Sequence, residues 1–468
     1  MCVWDSLSKE RFWKEFLDYK IEKQHLMGKD LEVIELFIKS KKYLDLINDI
    51  GKPDYIPPIP FKKEISKADT DKKRVIYSFD KDFNLLLKGI AFYLYIYDSE
   101  FADNCYAFRR NYGVKDAIRR IKSIKGLGDK YCLKLDVHNY FNSIDEDFLL
   151  EKLGFIKNSD EALYQFFEKL LKLDKAYVVK TPENRIKNNY LKDGYGKDNY
   201  QMDHQIKYRK EQQKEEQKEQ QKEEQKEQQK EEQNAQQKDD IDYDIIIQKR
   251  GAMAGTPISP FFANVYLSDM DRLFESDDVT YFRYSDDILI FADKEDDIKK
   301  YQQIVFSIIK NNKLTINSDK TKSCKPKDKW EFLGFSYNNG EIDLSDGTIM
   351  KMKAKIKRKA HALRRWADRK NISGERAARA FIKSMNKKLF DAYYLDKNGS
   401  AFSWSRWFFP CITTDKGLKT LDDYMQNYIR FCVTGRHYKG NYRISYEMLK
   451  EMGYRNLVNE YWKGKNHE

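Results

Sequence analysis

Apolar positions recur along this chain at two different spacings. From residue 5 to 50, Phe12, Phe16 and Ile21, then Leu31, Ile34, Leu36 and Phe37, fall at helical intervals, and the Pro-rich stretch 51–60 ends that block in extended chain. Residues 82–98, part of 104–125, and 294–312 also read as helices, whereas Leu314-Thr315-Ile316-Asn317 reads as a strand. Two short apolar runs, 279–283 and 288–291, flank Tyr284-Ser285-Asp286-Asp287 and predict a β-hairpin with the aspartates at its turn. Further on, Ile356, Ala360, Leu363 and Ala367 recur at i, i+4, i+7 and i+11, which predicts a helix with one apolar face.

One segment fits neither spacing. Between about 205 and 238 lie three copies of an eight-residue unit, 211–218, 219–226 and 227–234, with no large apolar side chain to contribute to a core. Its glutamates and its lysines each form like-charged i,i+4 rows, and the apolar seam of a coiled coil is missing. An exposed fraying helix or a disordered insertion is expected there.

Charge and cysteine usage narrow the class. Among 468 residues, Lys and Arg number 87 against 75 Asp and Glu, an excess of 12 that suits a polyanionic partner. Ten of the twenty residues 351–370 are basic against the single Asp368, more than solubility needs, so this helix is expected to touch nucleic-acid backbone through Lys355, Lys357, Arg358 and Lys359. Six scattered cysteines form no Cys-x-x-Cys pair, which argues against structural zinc and against a disulfide framework. With no signal-like N-terminus and no apolar run of membrane-spanning length, a soluble cytoplasmic protein without a membrane partner is expected.

The aspartates carry the chemistry. Asp is common in turns for conformational reasons alone, but here a third carboxylate, Asp136, ends the apolar run 131–135, and Gly255-Thr256-Pro257-Ile258-Ser259-Pro260 lies between the two sites. Phosphoryl transfer needs such a set: two Mg²⁺ ions roughly 4 Å apart clamp the attacking 3′-hydroxyl and the leaving pyrophosphate, held by hard oxygen ligands. Asp136 and Asp286 are expected as the bridging ligands and Asp287 as a more peripheral third, with Mn²⁺ left open as an alternative ion.

The blocks in this order resemble a bacterial reverse transcriptase of the class that holds group II intron proteins, retron enzymes and stand-alone defence relatives such as the abortive-infection and unknown-group types. The likeness covers about residues 70–340: Lys72-Lys73-Arg74, Tyr106-Ala107-Phe108-Arg109, Leu135-Asp136 with Tyr140-Phe141, Gly255–Pro260 with Ala263–Leu267, Tyr284–Asp287, and Asn317–Thr321 with Phe332-Leu333-Gly334-Phe335. It implies an α+β right-hand polymerase fold with an α/β palm, fingers and a helical thumb. The corresponding division is an N-terminal helical region (1–70), fingers and palm (71–345, with the insertion 205–238), and thumb with a C-terminal RNA-binding region (346–468). By the same likeness Lys72 and Arg74 grip the incoming triphosphate, Phe141 lies against the sugar 2′ position, Gly255 lets backbone approach the base pair, and Lys320 approaches the leaving pyrophosphate. Phe332, Leu333 and Gly334 form the primer grip.

The implied activity is RNA-directed DNA synthesis from deoxynucleoside triphosphates on an RNA template. A dedicated non-coding RNA, a role in antiphage defence, a DNA product and an oligomeric state left open complete the expectation. There are departures from the family. Ala254 stands where Gln is frequent before the glycine, and Val433-Thr434-Gly435 spells a retron RNA-recognition triplet in the wrong context, so it is read as coincidence. Two alternatives follow: an untemplated or protein-primed nucleotidyl transferase, which Ala254 and 32 tyrosines permit, and a non-catalytic RNA-binding splicing cofactor. From 393 onward, aromatics interleaved with arginines read either as an RNA-stacking surface or as a helical core.

Overall fold

The computed structural model describes residues 3–24, 26–66, 73–179, 243–390 and 403–465. The tandem repeat and Lys72 lie outside them. Eleven strands occur among the described residues: β1 Phe61–Ser66, β2 Lys73–Ser78, β3 Tyr131–Asp136, β4 Lys175–Val179, β5 Tyr243–Ile247 and β6 Thr280–Tyr284, followed by β7 Asp287–Ala292, β8 Lys322–Cys324, β9 Trp330–Phe332, β10 Phe335–Asn338 and β11 Glu341–Leu344. Helices are interspersed with them along the chain, an α+β content of the class expected from the sequence. The chain divides into two discontinuous units, one of Met1–Pro57, Asp80–Lys172 and Arg250–Glu468, the other of Pro58–Phe79 and Leu173–Lys249.

The smaller unit is a four-stranded sheet in the order β2-β1-β4-β5, with β1 and β4 parallel and the other pairs antiparallel. Phe61 stacks on Tyr177 at 5.3 Å between ring centroids, and Tyr243 meets Phe61 edge-on.

In the larger unit the expected hairpin forms. β6 and β7 pair antiparallel, β7 pairs with β3, and β3 pairs with β8. Ile288, Leu289, Ile290 and Phe291 are all buried, because both faces of this sheet are covered. On one side the helix Glu295–Asn311 packs against β3 and β7, burying Ile298, Val305 and Ile309, and its acidic first turn suits the positive end of the helix dipole. Leu289 and Phe291, two apart and so on one face, join the cluster that holds Trp330, Phe332, Phe335 and Tyr337. Phe291 meets Trp330 edge-on at 5.3 Å, and Trp330 stacks on Tyr337 at 5.0 Å.

That second cluster belongs to the small sheet β9-β10-β11. Ser345 then caps the helix Asp346–Lys370 by accepting a hydrogen bond from Thr348 N, and Asn371 ends it in the left-handed conformation. Met352, Ile356, Ala360 and Ala367 are buried and Leu363 is half-buried, so the expected apolar face is present. It packs against the helices Gly374–Leu389 and Lys416–Thr434, which also pack on each other.

Some elements differ from expectation. Of Leu314–Asn317 only Ile316 pairs, in a single antiparallel bridge with Val137 made by His138 N donating to Thr315 O and Asn317 N to Asp136 O, both at 2.8 Å, while Leu314 N bonds back to Ile309 O of the preceding helix. The 3₁₀ turn Ser318–Lys320 then ends any strand. The helix expected over 82–98 is α-helical only for Lys81–Tyr93, and Leu94–Glu100 tightens to 3₁₀. Val433 and Thr434 end the helix Lys416–Thr434, with Gly435 at φ 77° as its left-handed cap and Arg364 donating to the Cys432 and Val433 carbonyls at 3.2 and 3.3 Å. The triplet is thus helix-terminating chemistry.

Candidate active site

Strand register brings the carboxylates together. Asp136 is the last residue of β3 and Asp287 the first of β7, and they are direct partners across the antiparallel pair. Partners in such a pair project to the same face. Asp286 precedes them in the two-residue turn, and its carbonyl accepts from Val137 N at 3.0 Å. Asp287, expected as the peripheral ligand, is therefore the carboxylate directly opposite Asp136, while Asp286 rides on the turn.

Asp136 is buried, and both its oxygens are engaged: Oδ1 accepts from Asn317 Nδ2 at 3.0 Å and Oδ2 from Lys320 Nζ at 2.6 Å. Burial pulls the Lys320 ammonium down, but the hydrogen bond and charge of Asp136, with Asp286 and Asp287 behind, hold its pKa above the ordinary lysine value. Burial pushes the Asp287 carboxyl up to about 6, the charges of Asp286 and Asp136 add to this, and Lys134 and Lys320 oppose it. The negative charges of Asp286 and Asp136 thus act on Asp287. Among the described residues no group of three or more His, Cys, Asp or Glu side chains is already gathered tightly enough to hold a metal ion. The donors nevertheless fit Mg²⁺ or Mn²⁺ in kind, being hard oxygens whose mutual repulsion an ion would relieve.

Aromatic rings border this end of the sheet. Phe141, on the short helix Tyr140–Ser143, meets Phe108 at 6.2 Å, and Phe108 lies 6.2 Å from Tyr284. Phe108 remains 49% exposed and sits at φ 57°, an unusual conformation for a bulky residue. Behind Phe141, Gly251 comes so close that an added Cβ would lie 2.4 Å from the Phe141 carbonyl oxygen. Ala252 N donates to that oxygen at 2.8 Å, and Glu146 Oε1 accepts from Arg250 N and Gly251 N at 3.1 and 3.0 Å. Gly255 is exposed at φ 99° in the loop before the helix Ser259–Tyr266, and Ala254 is buried. Arg74 is exposed on β2 in the smaller unit.

Phe332, Leu333 and Gly334 make the β9–β10 hairpin. Leu333 at φ 51° and Gly334 at φ 88° give the twist that a two-residue hairpin favours, and Gly334 O accepts from Ser345 N and Thr348 Oγ1. Lys355, Lys357, Arg358 and Lys359 are all exposed on the long helix. Three of them, Lys355, Arg358 and Lys359, line a groove of about 450 Å³ whose other wall carries Ser384 and Lys388. Burial, then Lys388, Arg358 and Lys351, lower the Lys355 pKa, so the groove is short of negative charge. The C-terminal aromatics divide: Tyr454 and Tyr461 are buried in the core, whereas Tyr438 and Tyr442 are exposed, with Arg436 and Arg430 over their rings.

Sequence reading left Phe108, Asn317, Glu146 and Gly251 out of the site. Phe108 and Asn317 lay within blocks of the family likeness without a role assigned to them, and a glycine four residues before Gly255 gave a signal, but a single glutamate did not.

Comparisons with known proteins bear on the same region. Residues 202–337 match a family model described as reverse transcriptase (RNA-dependent DNA polymerase). Over 106 residues the chain is 29% identical to the Retron Ec86 reverse transcriptase of Escherichia coli, covering 22% of this chain and 33% of that protein. The match thus spans about a third of that relative's length. Among solved structures, apo telomerase from Candida tropicalis is similar at 12% identity and a TM-score of 0.39, over 86% of this chain and 70% of that one. A form of it truncated from the C-terminal domain gives 13% and 0.38, over 61% and 55%. The family match contains Asp286 and Asp287 but begins after Asp136.

Proposed function

We infer that this chain, a reverse transcriptase by family, is an RNA-directed DNA polymerase that adds deoxynucleotides to a 3′-hydroxyl. The observation that carries the reading is the pairing of Asp136 with Asp287 across β3 and β7, with Asp286 in the adjoining turn. Asp136, Asp286 and Asp287 would hold two Mg²⁺ ions, which supply charge stabilisation for the attacking and leaving oxygens when bound. The protein's own part is positional. The hairpin places Asp286 and Asp287 at one turn, β3 presents Asp136 from the opposite strand, and a bound ion would draw the three together. Lys320 stands at Asp136 and can hold a proton near the departing pyrophosphate. Phe141 presents a flat ring where a 2′-hydroxyl would have to fit, which favours deoxynucleotides. The β9–β10 turn would support the primer strand, and Arg74 with Lys72 the triphosphate.

The groove between the helices Asp346–Lys370 and Gly374–Leu389 supports contact with a nucleic-acid backbone, since four cations face a space with no carboxylate on its walls. By likeness to the family this helical region would serve as a thumb, the sheet β6-β7-β3-β8 as a palm and the smaller unit as part of the fingers. A dedicated non-coding RNA as template and a role in antiphage defence belong to the same proposal. Primer extension on an RNA template, with deoxynucleotides and Mg²⁺ and with a no-template control, tests it: template-dependent DNA product is expected, and product formed equally without template would favour the untemplated transferase.

A further inference from the structure

Beneath the aspartate turn lies a charged pair that the proposed chemistry does not use. Arg283, next in sequence to Tyr284, and Asp271, in the helix Ser268–Ser276, both have no exposed surface. A buried charge persists only where it is paired and hydrogen-bonded. Arg283 Nε donates to Asp271 Oδ1 at 2.7 Å and Nη2 to Oδ2, and the Tyr281 hydroxyl donates to Oδ1 at 2.9 Å.

The remaining reach of the guanidinium goes to the chain around the site. Nη1 donates to Ser285 O and Nη2 to Asn264 O, each at 3.3 Å. The Arg283 main chain joins a third segment, donating to Asn104 O and accepting from Tyr106 N at 2.9 Å. One residue therefore ties together the segment 104–109, the helix Ser259–Tyr266 and the aspartate turn. That turn is strained. Ser285 sits at φ 61°, a region residues with a side chain rarely adopt, and among the described residues its buried Oγ has no hydrogen-bond partner. The conformation is held through its carbonyl, which Arg283 engages.

We propose that Arg283, itself held by Asp271, is a positioning residue that fixes the strained Ser285 turn and so sets the direction in which Asp286 and Asp287 leave the sheet. The consequence for metal binding rests on the reading of those carboxylates given above; the consequence for the turn does not. The planar fork is what the task requires, since one side chain must satisfy a carboxylate and a carbonyl together. A lysine keeps the charge beside Asp271 but has no second arm for Ser285 O.

Two variants of the full chain test this: Arg283→Lys, and Arg283→Met combined with Asp271→Leu, which removes both charges so that neither is stranded. Four properties are measured: thermal melting, template–primer affinity, deuterium exchange over Tyr284–Ile288, and incorporation as Mg²⁺ is titrated. Both variants are expected to melt cooperatively and to bind template–primer like the wild type. Exchange at the turn should rise about tenfold while β3 stays protected, as expected of a local opening. The Mg²⁺ needed for half-maximal rate should rise and kcat fall by about 10- to 100-fold, with KM for the nucleotide little changed. Folded variants with wild-type exchange at the turn and wild-type Mg²⁺ dependence would overturn the proposal. If the double variant does not melt cooperatively, Arg283→Lys alone decides. If the wild type incorporates nothing, the polymerase reading fails and the exchange measurement alone decides whether Arg283 holds the turn.

Discussion

Asp287 pays for its position in stability. Its carboxyl is raised to about 6 by burial and by the neighbouring Asp286, so the folded state binds the proton more tightly than the unfolded chain does. For an acid shifted upward, stability falls as pH rises from the unfolded value near 4 to the folded value near 6, and stays lower above it. The size is on the order of 3 kcal/mol in the metal-free protein, about 1.4 kcal/mol per pKa unit. Asp287→Asn is therefore expected to melt a few degrees above the wild type at pH 7.5 in a chelator, the gap closing toward pH 4. Melts across that range check it, and equal melting at pH 7.5 would show that the carboxylate is not strained. Phe141→Ala is expected to let ribonucleotides compete about tenfold better, roughly the 1–3 kcal/mol that pocket shape supplies. Competition assays with paired nucleotides measure this. The aspartates were readable as candidates because each sits at the end of an apolar run, whereas Phe141 was named only through the family likeness, five residues beyond Asp136. Arg283 was silent: one arginine in a strand says nothing until folding brings Asp271 and the Ser285 carbonyl to it. Phe108 was hidden for a related reason, since its exposure follows from a left-handed backbone that its block of letters does not announce.

At the scale of elements, the long basic helix makes the clearest prediction. Lys355, Arg358 and Lys359 line the groove opposite Lys388, whereas Lys357 does not. Neutralising the first three should lower affinity for any RNA and reduce the log–log salt slope by about 0.7–0.9 for each phosphate no longer neutralised. Lys357→Gln should do less. Titrations at several salt concentrations check both, and an unchanged slope in the triple variant would reduce the helix to a solvated surface. Its apolar face was readable from spacing alone, because Ile356, Ala360 and Ala367 pack on two neighbouring helices. The strand expected at Leu314–Asn317 was not, because Leu314 N still bonds to the preceding helix and the turn Ser318–Lys320 follows at once, which leaves room for one bridge to Val137. A four-residue apolar run cannot reveal how little of it pairs. The groove itself needed the fold: Lys388 lies 29 residues beyond Lys359 in sequence and faces it only once the helices cross.

For the whole molecule, the tandem repeat 211–234 has no side chain suited to a core. Replacing it with a short Gly/Ser linker should leave melting and incorporation within about twofold, since loop length costs only about 0.6 kcal/mol per doubling. A loss of soluble expression or of activity would assign the repeat a docking role. The larger architecture was legible in outline because ordered blocks and their apolar runs dictate the sheet β6-β7-β3. The division into two units was not, because residues 58–79 and 173–249 are distant in sequence and come together through β1 beside β4 and through Gln248, which bonds to Lys62 and Tyr77. The central claim is that Asp136, Asp286 and Asp287 form one metal-dependent polymerase site. It is tested most directly by primer extension on an RNA template with three proteins: wild type, Asp136→Asn, and Asp286→Asn combined with Asp287→Asn. Template-dependent DNA synthesis by the wild type is expected, with both variants folded, still binding template–primer, and reduced about a hundred- to a thousandfold, as when charge stabilisation at a reacting oxygen is removed. Undiminished incorporation by either folded variant would contradict the account.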